Sequence, residues 1–277
     1  MASVRLIVDR GSSPRFPPIL LLLLTHPRVE YRGDSMVFRS DFVFPRLRRL
    51  SIVGIGLAAL VLVDGHALAQ QTDPKQTLDR LNQSAANFHA TAADVEYDTR
   101  ETDPVPDEDI WKGKVYYERK GSNSVSMGVH FDTHNGKPTG KTYTYIGGTF
   151  KLFEPNMDQV TTHTGAAKFE SYVILGFGAS GKDLEAKWDI TDLGPETISG
   201  IKTEKLDLVA KDPAVRKSVQ KVTIWVDPDR AVSLKQVFTL SATTTWICTY
   251  SNFKLNQPLP SDAFTFKTDS KTTYEKQ

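Results

Sequence analysis

Cysteine is almost absent from the 277-residue chain. Cys248 stands alone, so no intramolecular disulfide can form and no pair of thiolates can hold zinc. An excess of one charge is missing too. Thirty-four Lys+Arg face 33 Asp+Glu for a net charge of +1, which leaves no electrostatic footprint for nucleic acid. The uncharged run from Ile52 to Val63 is only about a dozen residues, short of the ~20 that span a bilayer as a helix. No G-x-S-x-G elbow or other nucleophile motif occurs, and no repeat of fixed period is present.

What is present begins with an export signal. Arg46, Arg48 and Arg49 precede the Ile52 to Val63 run, and Ala67-Leu68-Ala69 closes it with the small-x-small pattern of a signal-peptidase site. Cleavage is expected after Ala69, and the shortness of the run argues against a retained anchor. Met36 would give this signal an ordinary basic n-region, so residues 1–35 read as an over-long start. The chain thus divides into a signal region, 1–69, and one domain, 70–277. The signal region takes with it nine Lys+Arg and five Asp+Glu, which leaves the domain near −3. That domain is long enough for one well-buried core. A soluble periplasmic monomer is expected, and Cys248 lies too far from the new N-terminus to carry a lipid anchor.

Hydrophobic periodicity then sets out the elements. Asp73 suits an N-cap and Pro74 the first helical position, after which Leu78, Leu81, Ala85 and Phe88 recur at spacings of three, four and three. The spacing predicts a helix with one apolar stripe, a pattern that plain core packing also explains. From Asp94 the period becomes two. Val115, Tyr117 and Arg119 share one strand face, and Val125, Met127, Val129 and Phe131 share another. Between Lys141 and Thr162, Tyr143 and Tyr145 lead to the turn Gly147-Gly148, and Phe150 and Leu152 resume the alternation, which predicts a tight hairpin. Phe153 falls on the opposite face, so both sides of this hairpin should meet apolar groups. Ala166 to Leu175 predicts a second, short helix with Phe169, Tyr172 and Val173 on one face. Further strands follow, the last expected at Ala263 to Phe266. About eleven strands and two helices give an α+β, mainly β class, as an antiparallel meander that curls on itself with helices over its concave side.

Several stretches resemble chemical motifs. Gly176-Phe-Gly-Ala-Ser-Gly181-Lys182 fits G-x-G-x-x-G and most of a P-loop, but Asp183 stands where Ser or Thr should hold magnesium. Leu184 to Ile190 reads as a strand rather than a phosphate-binding helix, which leaves the glycines as a flexible connector. His130 and His134 are four apart, a chelating distance on a helix, but on a strand they stand about 13 Å apart. Asp227 and Asp229 bracket a proline in a turn. No enzyme, metal or cofactor is expected from these residues.

Four segments, in order, resemble the periplasmic outer-membrane lipoprotein carriers of the LolA type and the lipoprotein-sorting proteins related to them. LDRLNQSAANFHA, from Leu78 to Ala90, is similar to the family's first helix. GKVYYER, ending at Arg119, is similar to the strand that carries the family's Arg-Pro pair, with Lys120 here in place of the proline. GGTFKLFEPNMDQVT, from Gly147, matches its hairpin through Gly148, Thr149, Pro155, Gln159 and Thr161, with Gly147 replacing an aspartate. Ala263 to Phe266 is similar to its terminal A-x-F-x-F. The resemblance implies an open half-barrel of antiparallel strands, covered by an N-terminal helix and a short mid-chain helical lid, around a cavity for acyl chains. It implies lipid-binding roles for Leu78, Leu81, Phe88, Tyr143, Tyr145, Phe150 and Leu152, and a lid latch at Arg119 that bonds backbone carbonyls. Implied partners are lipoprotein acyl chains or other lipids, an inner-membrane exporter and an outer-membrane acceptor. The alternative is an envelope-stress or lipid-sensing domain that acts through a protein partner. N-terminal sequencing of the exported protein is expected to begin at Gln70, and a start inside the Ile52 to Val63 run would contradict the assigned signal.

Overall fold

The computed structural model describes residues 73–120, 124–165, 172 and 175–277. The export signal and most of the predicted helix over 166–175 lie outside the described residues. Three helices occur among them: α1 (Lys75–Ala85), α2 (Gly181–Lys187) and α3 (Pro213–Arg216). The strands are β1 (Ala90–Glu101), β2 (Asp107–Lys120), β3 (Ser124–His134), β4 (Lys137–Pro138), β5 (Thr142–Ile146), β6 (Thr149–Glu154) and β7 (Gln159–His163). After α2 come β8 (Trp188–Ile198), β9 (Ile201–Ala210), β10 (Lys221–Asp227), β11 (Val232–Thr239), β12 (Thr244–Leu255) and β13 (Thr273–Lys276).

All thirteen strands belong to one sheet, ordered β13-β7-β6-β5-β3-β2-β1-β12-β11-β10-β9-β8, with β4 attached to β3. Neighbours are antiparallel except β13, which runs parallel to β7. The sheet is not closed, since β13 and β8 end the order without pairing. It is nonetheless strongly curved. Phe150 on β6 and Phe238 on β11 stand six strands apart, roughly 30 Å on a flat sheet, yet they line a single cavity. An open sheet of this many strands relieves its accumulated twist by curling.

The inner face carries the alternating residues named above. Val95 and Tyr97, Val115 and Tyr117, Met127 and Phe131, Tyr143 and Tyr145, and Phe150 and Leu152 are all buried in one core cluster. Leu206, Leu208, Val222 and Ile224 extend that cluster through the other half of the sheet. Helix α1 adds Leu78, Leu81 and Ala85, and Phe88 follows just beyond its end. The helix starts one residue later than the sequence suggests: Pro74 is the N-cap, while the Asp73 carboxylate accepts from the Lys75 amide at 3.0 Å.

Two segments depart from expectation. Leu184 lies on α2 rather than a strand, because Ser180 and Asp183 form a reciprocal capping box that satisfies the first amides of that helix. Ala263 to Phe266 is a turn, and the chain passes over the outer face of the sheet before it adds β13 to the far edge. Gly128 makes room for that crossing, since a Cβ there would lie 1.8 Å from the Ala263 carbonyl oxygen. Phe153 meets its predicted apolar partner here, stacked on Phe266 at 5.2 Å. The Asp227 turn reading holds, with Asp227 Oδ1 accepting from the Asp229 amide at 3.0 Å.

Close approach of α1 and α2 depends on Gly181, where a Cβ would lie 2.3 Å from the Leu78 carbonyl oxygen. Gly181→Ala is expected to cost about 2 kcal/mol or more, because backbone must move. Gly147→Ala, in open space at φ +54°, should cost only about 1 kcal/mol. Denaturant titration of both variants checks the order, and equal losses would contradict the close approach.

Candidate functional site

The glycine-rich stretch after the second predicted helix is neither a phosphate loop nor a flexible connector. Gly176 and Gly178 adopt φ of +80° and +68°, a region that an L side chain enters only with strain. The space around both is filled. A Cβ on Gly176 would lie 2.4 Å from the Ser233 Cβ, and one on Gly178 would lie 2.3 Å from the Phe88 ring. The segment is also tied down by its backbone: the Ser233 amide donates to the Gly176 carbonyl at 2.6 Å, and the Gly178 amide donates to the Ala231 carbonyl at 2.8 Å.

These two glycines present Phe177 to the inner face. Its ring stacks on Tyr117, with centroids 4.0 Å apart, and meets Tyr250 edge-on at 4.9 Å. Side chains from the sheet reach the same segment. Arg119 Nη2 donates to the Gly178 carbonyl at 2.6 Å, and the Gln236 amide donates to the Leu175 carbonyl. The Tyr250 hydroxyl completes this chain by donating to Gln236 Oε1 at 3.2 Å. Helix α1 is held by its buried leucines and by a few polar contacts at its rim. Ser84 Oγ donates to the Pro228 carbonyl at 2.5 Å, and Arg80 pairs with Asp229 at 2.8 Å.

Beside Phe177 lies an internal cavity of about 50 Å³ whose walls include Tyr117, Tyr143, Phe150, Tyr172, Phe238 and Tyr250. A void that binds benzene measures about 150 Å³, so this cavity as it stands has no space for a fatty chain. Of the residues assigned from sequence, Tyr143 and Phe150 line this cavity. Tyr145 and Leu152 are buried on the same face without reaching it, and Leu78, Leu81 and Phe88 pack in the surrounding core. Sequence reasoning missed Val95, Tyr97, Tyr117, Phe131 and Tyr250 as wall residues, although their two-residue alternation is the same signal that marked Tyr143. It also missed Phe177, which the glycine pattern concealed. Trp188 and Trp246 belong to the core without lining the cavity, while Trp225 lies between Lys205 and Lys235 with both ammonium groups within 4.9 Å of its ring centroid.

The walls disfavour charge. Burial raises the phenols of Tyr97, Tyr117, Tyr143 and Tyr250 above their ordinary range and pushes the Cys248 thiol up to about 12. The histidines are dispersed. His130 sits edge-on to Tyr116, His134 stacks on Trp111 with Nε2 3.0 Å from Asp109, and His163 is buried on β7. Among the described residues no group of three His, Cys, Asp or Glu is placed to hold a metal ion, and no helix is long and apolar enough to cross a membrane.

No protein-family model and no curated protein matches the chain. Solved structures similar to it include an outer membrane lipoprotein-sorting protein domain from Vibrio parahaemolyticus, at 14% identity over 69% of this chain and 97% of that one, with a TM-score of 0.38. A LolA superfamily protein from Nitrosomonas europaea is similar at 16% identity over 70% and 98% of the two chains, TM-score 0.35. The Pseudomonas aeruginosa MucA/MucB complex contains a chain similar at 11% identity over 69% and 61%, TM-score 0.42. The chain itself shows a large unclosed sheet with few helices among the described residues.

Cys248 reports on this interior. Its thiol in the native protein at pH 8 is expected to react with a disulfide reagent roughly a thousandfold more slowly than a free cysteine, and at the ordinary rate in guanidinium. Rapid reaction of the folded protein would contradict the burial of this thiol.

Proposed function

We propose that this protein is a periplasmic carrier that takes the acyl chains of lipoproteins or related lipids into its apolar interior and transfers them toward the outer membrane. The role is binding and release, with no bond made or broken. Exporter and acceptor proteins at the two membranes would be its partners. The observation that carries this reading is the placement of Phe177: one side chain, on a segment joined to the sheet by a single bridge to Val232, covers the inner face beside the cavity where an acyl chain would lie.

The energetics favour such an arrangement. A sixteen-carbon chain moved from water into this interior would gain on the order of 12 kcal/mol, too tight a grip for a shuttle. Loading must first displace Phe177 and Leu175, each worth about 1.5–3 kcal/mol of burial. It must also break the hydrogen bond from the Arg119 guanidinium to the Gly178 carbonyl, worth about 1.5–3 kcal/mol. Together these offset at least roughly 5 kcal/mol of that gain, and the hydrogen bonds of Gly176, Gly178 and Leu175 with Ser233, Ala231 and Gln236 add to it, so the net affinity is left modest and release to an acceptor becomes possible. Arg119 is in this scheme the latch of the closed state, and α1 with the 175–181 segment is the lid. Leu78, Leu81 and Phe88 would face the core when the protein is empty and lipid when it is loaded.

Organic extracts of gently purified protein are expected to contain acyl lipid by mass spectrometry, and none across several preparations would count against the carrier. Phe177→Ala should destabilise the empty protein by about 3 kcal/mol and tighten binding of a fluorescent acyl probe at least tenfold. Arg119→Met should tighten it by roughly tenfold through the lost latch. Weaker binding in both variants would contradict competition between lid and ligand.

A further inference from the structure

The cavity wall has a chemistry that greasiness alone does not require. Five tyrosines, Tyr97, Tyr117, Tyr143, Tyr172 and Tyr250, line it together with Gln236, and among the described residues no Asp, Glu, Lys, Arg or His lines it. Some of these polar groups are committed, as in the chain from Tyr250 through Gln236 to the Leu175 carbonyl. Tyr172 is different. Its side chain is 2% exposed, its ring packs edge-on against Trp188 at 5.0 Å, and its hydroxyl has no hydrogen-bond partner among the described residues. A buried donor left unpaired carries a desolvation cost that a ligand offering an acceptor would remove.

We propose, resting on the acyl-binding reading above, that the interior selects acyl chains joined through a neutral carbonyl, as esters or amides, and rejects free long-chain carboxylates, with Tyr172 donating to that carbonyl. A carboxylate drawn into this wall would lose its hydration and find no cation to replace it. Of the nearby basic groups, Lys141 is paired with Glu154 at 2.8 Å, and Arg119, which loading would free from Gly178, does not line the cavity. The raised phenols and thiol respond to the same environment, since burial there penalises each anion. An ester or amide carbonyl offers the acceptor that Tyr172 lacks without bringing a charge. Such a carbonyl is common to glycerolipids and to acylated lipoproteins.

The test is competition at pH 8 against a fluorescent palmitoyl ester bound to the full chain, with 1-monopalmitoylglycerol, a dipalmitoylated cysteinyl peptide and palmitate each delivered from cyclodextrin. Either neutral ligand is expected to compete at least tenfold more tightly than palmitate. The stronger of the two identifies glycerolipid or lipoprotein as the source, and both outcomes support the inference. Tyr172→Phe should weaken the neutral ligands by roughly two- to tenfold and leave palmitate unchanged. It should not lower the melting temperature, because it removes a hydroxyl that bonds nothing. Palmitate equal to or tighter than the esters in the unaltered protein would overturn the selectivity and leave acyl binding standing. Ester binding untouched by Tyr172→Phe would overturn the role of that hydroxyl. Failure of the palmitoyl ester probe itself to bind would overturn both this inference and the carrier reading.

Discussion

The stack of Phe177 on Tyr117 is the contact on which the closed interior depends. A sheet that curls until β6 and β11 share one cavity creates more inner surface than its own side chains cover. Helix α1 covers part of it, and Phe177 covers more from a segment bridged to the sheet at Val232. Delivering that ring demands a backbone that only glycine adopts without strain, at Gly176 and Gly178, and the same glycines let Ser233 and Phe88 approach closely. The conformational freedom that a glycine-rich stretch suggests is here spent entirely on one packed geometry.

Competition between that ring and an acyl chain gives the fold its proposed use. A cavity of about 50 Å³ does not accept a lipid, and a permanently open groove would hold one too firmly or expose its apolar wall to water. A lid fastened by one aromatic plug, one guanidinium, the Gln236 amide, two backbone hydrogen bonds and a few rim contacts would lie between these extremes. In the proposed carrier these contacts would keep the empty protein closed, and their loss on loading would offset much of the hydrophobic gain. The neutral wall adds a second constraint, because depth of burial that suits a hydrocarbon chain also excludes an anion.

Much of this was legible in the residues. The period-two alternation from Asp94 onward fixes which side chains face inward, and Tyr143, Tyr145, Phe150 and Leu152 are all found there. Phe153 announced a second apolar contact, which Phe266 supplies. Other features were hidden for identifiable reasons. Phe177 lies between glycines, whose local signal is freedom, while its actual restraint comes from Ser233, Ala231 and Arg119, far away in sequence. The Ala263 to Phe266 alternation imitates a strand, yet its partners lie across the outer face of the sheet rather than beside it in a ladder. Helix α2 is seven residues long and rests on a capping box that a strand-like apolar pattern at Leu184 to Ile190 obscured.

The central claim is that lid and ligand occupy the same space. Amide hydrogen exchange of the protein with and without bound 1-monopalmitoylglycerol tests it most directly. Loading is predicted to release protection in residues 175–181 and α1 while the inner strands β1, β2 and β12 stay protected. Bound lipid with unchanged or increased protection in that segment would contradict the account, because the chain would then lie somewhere other than behind Phe177.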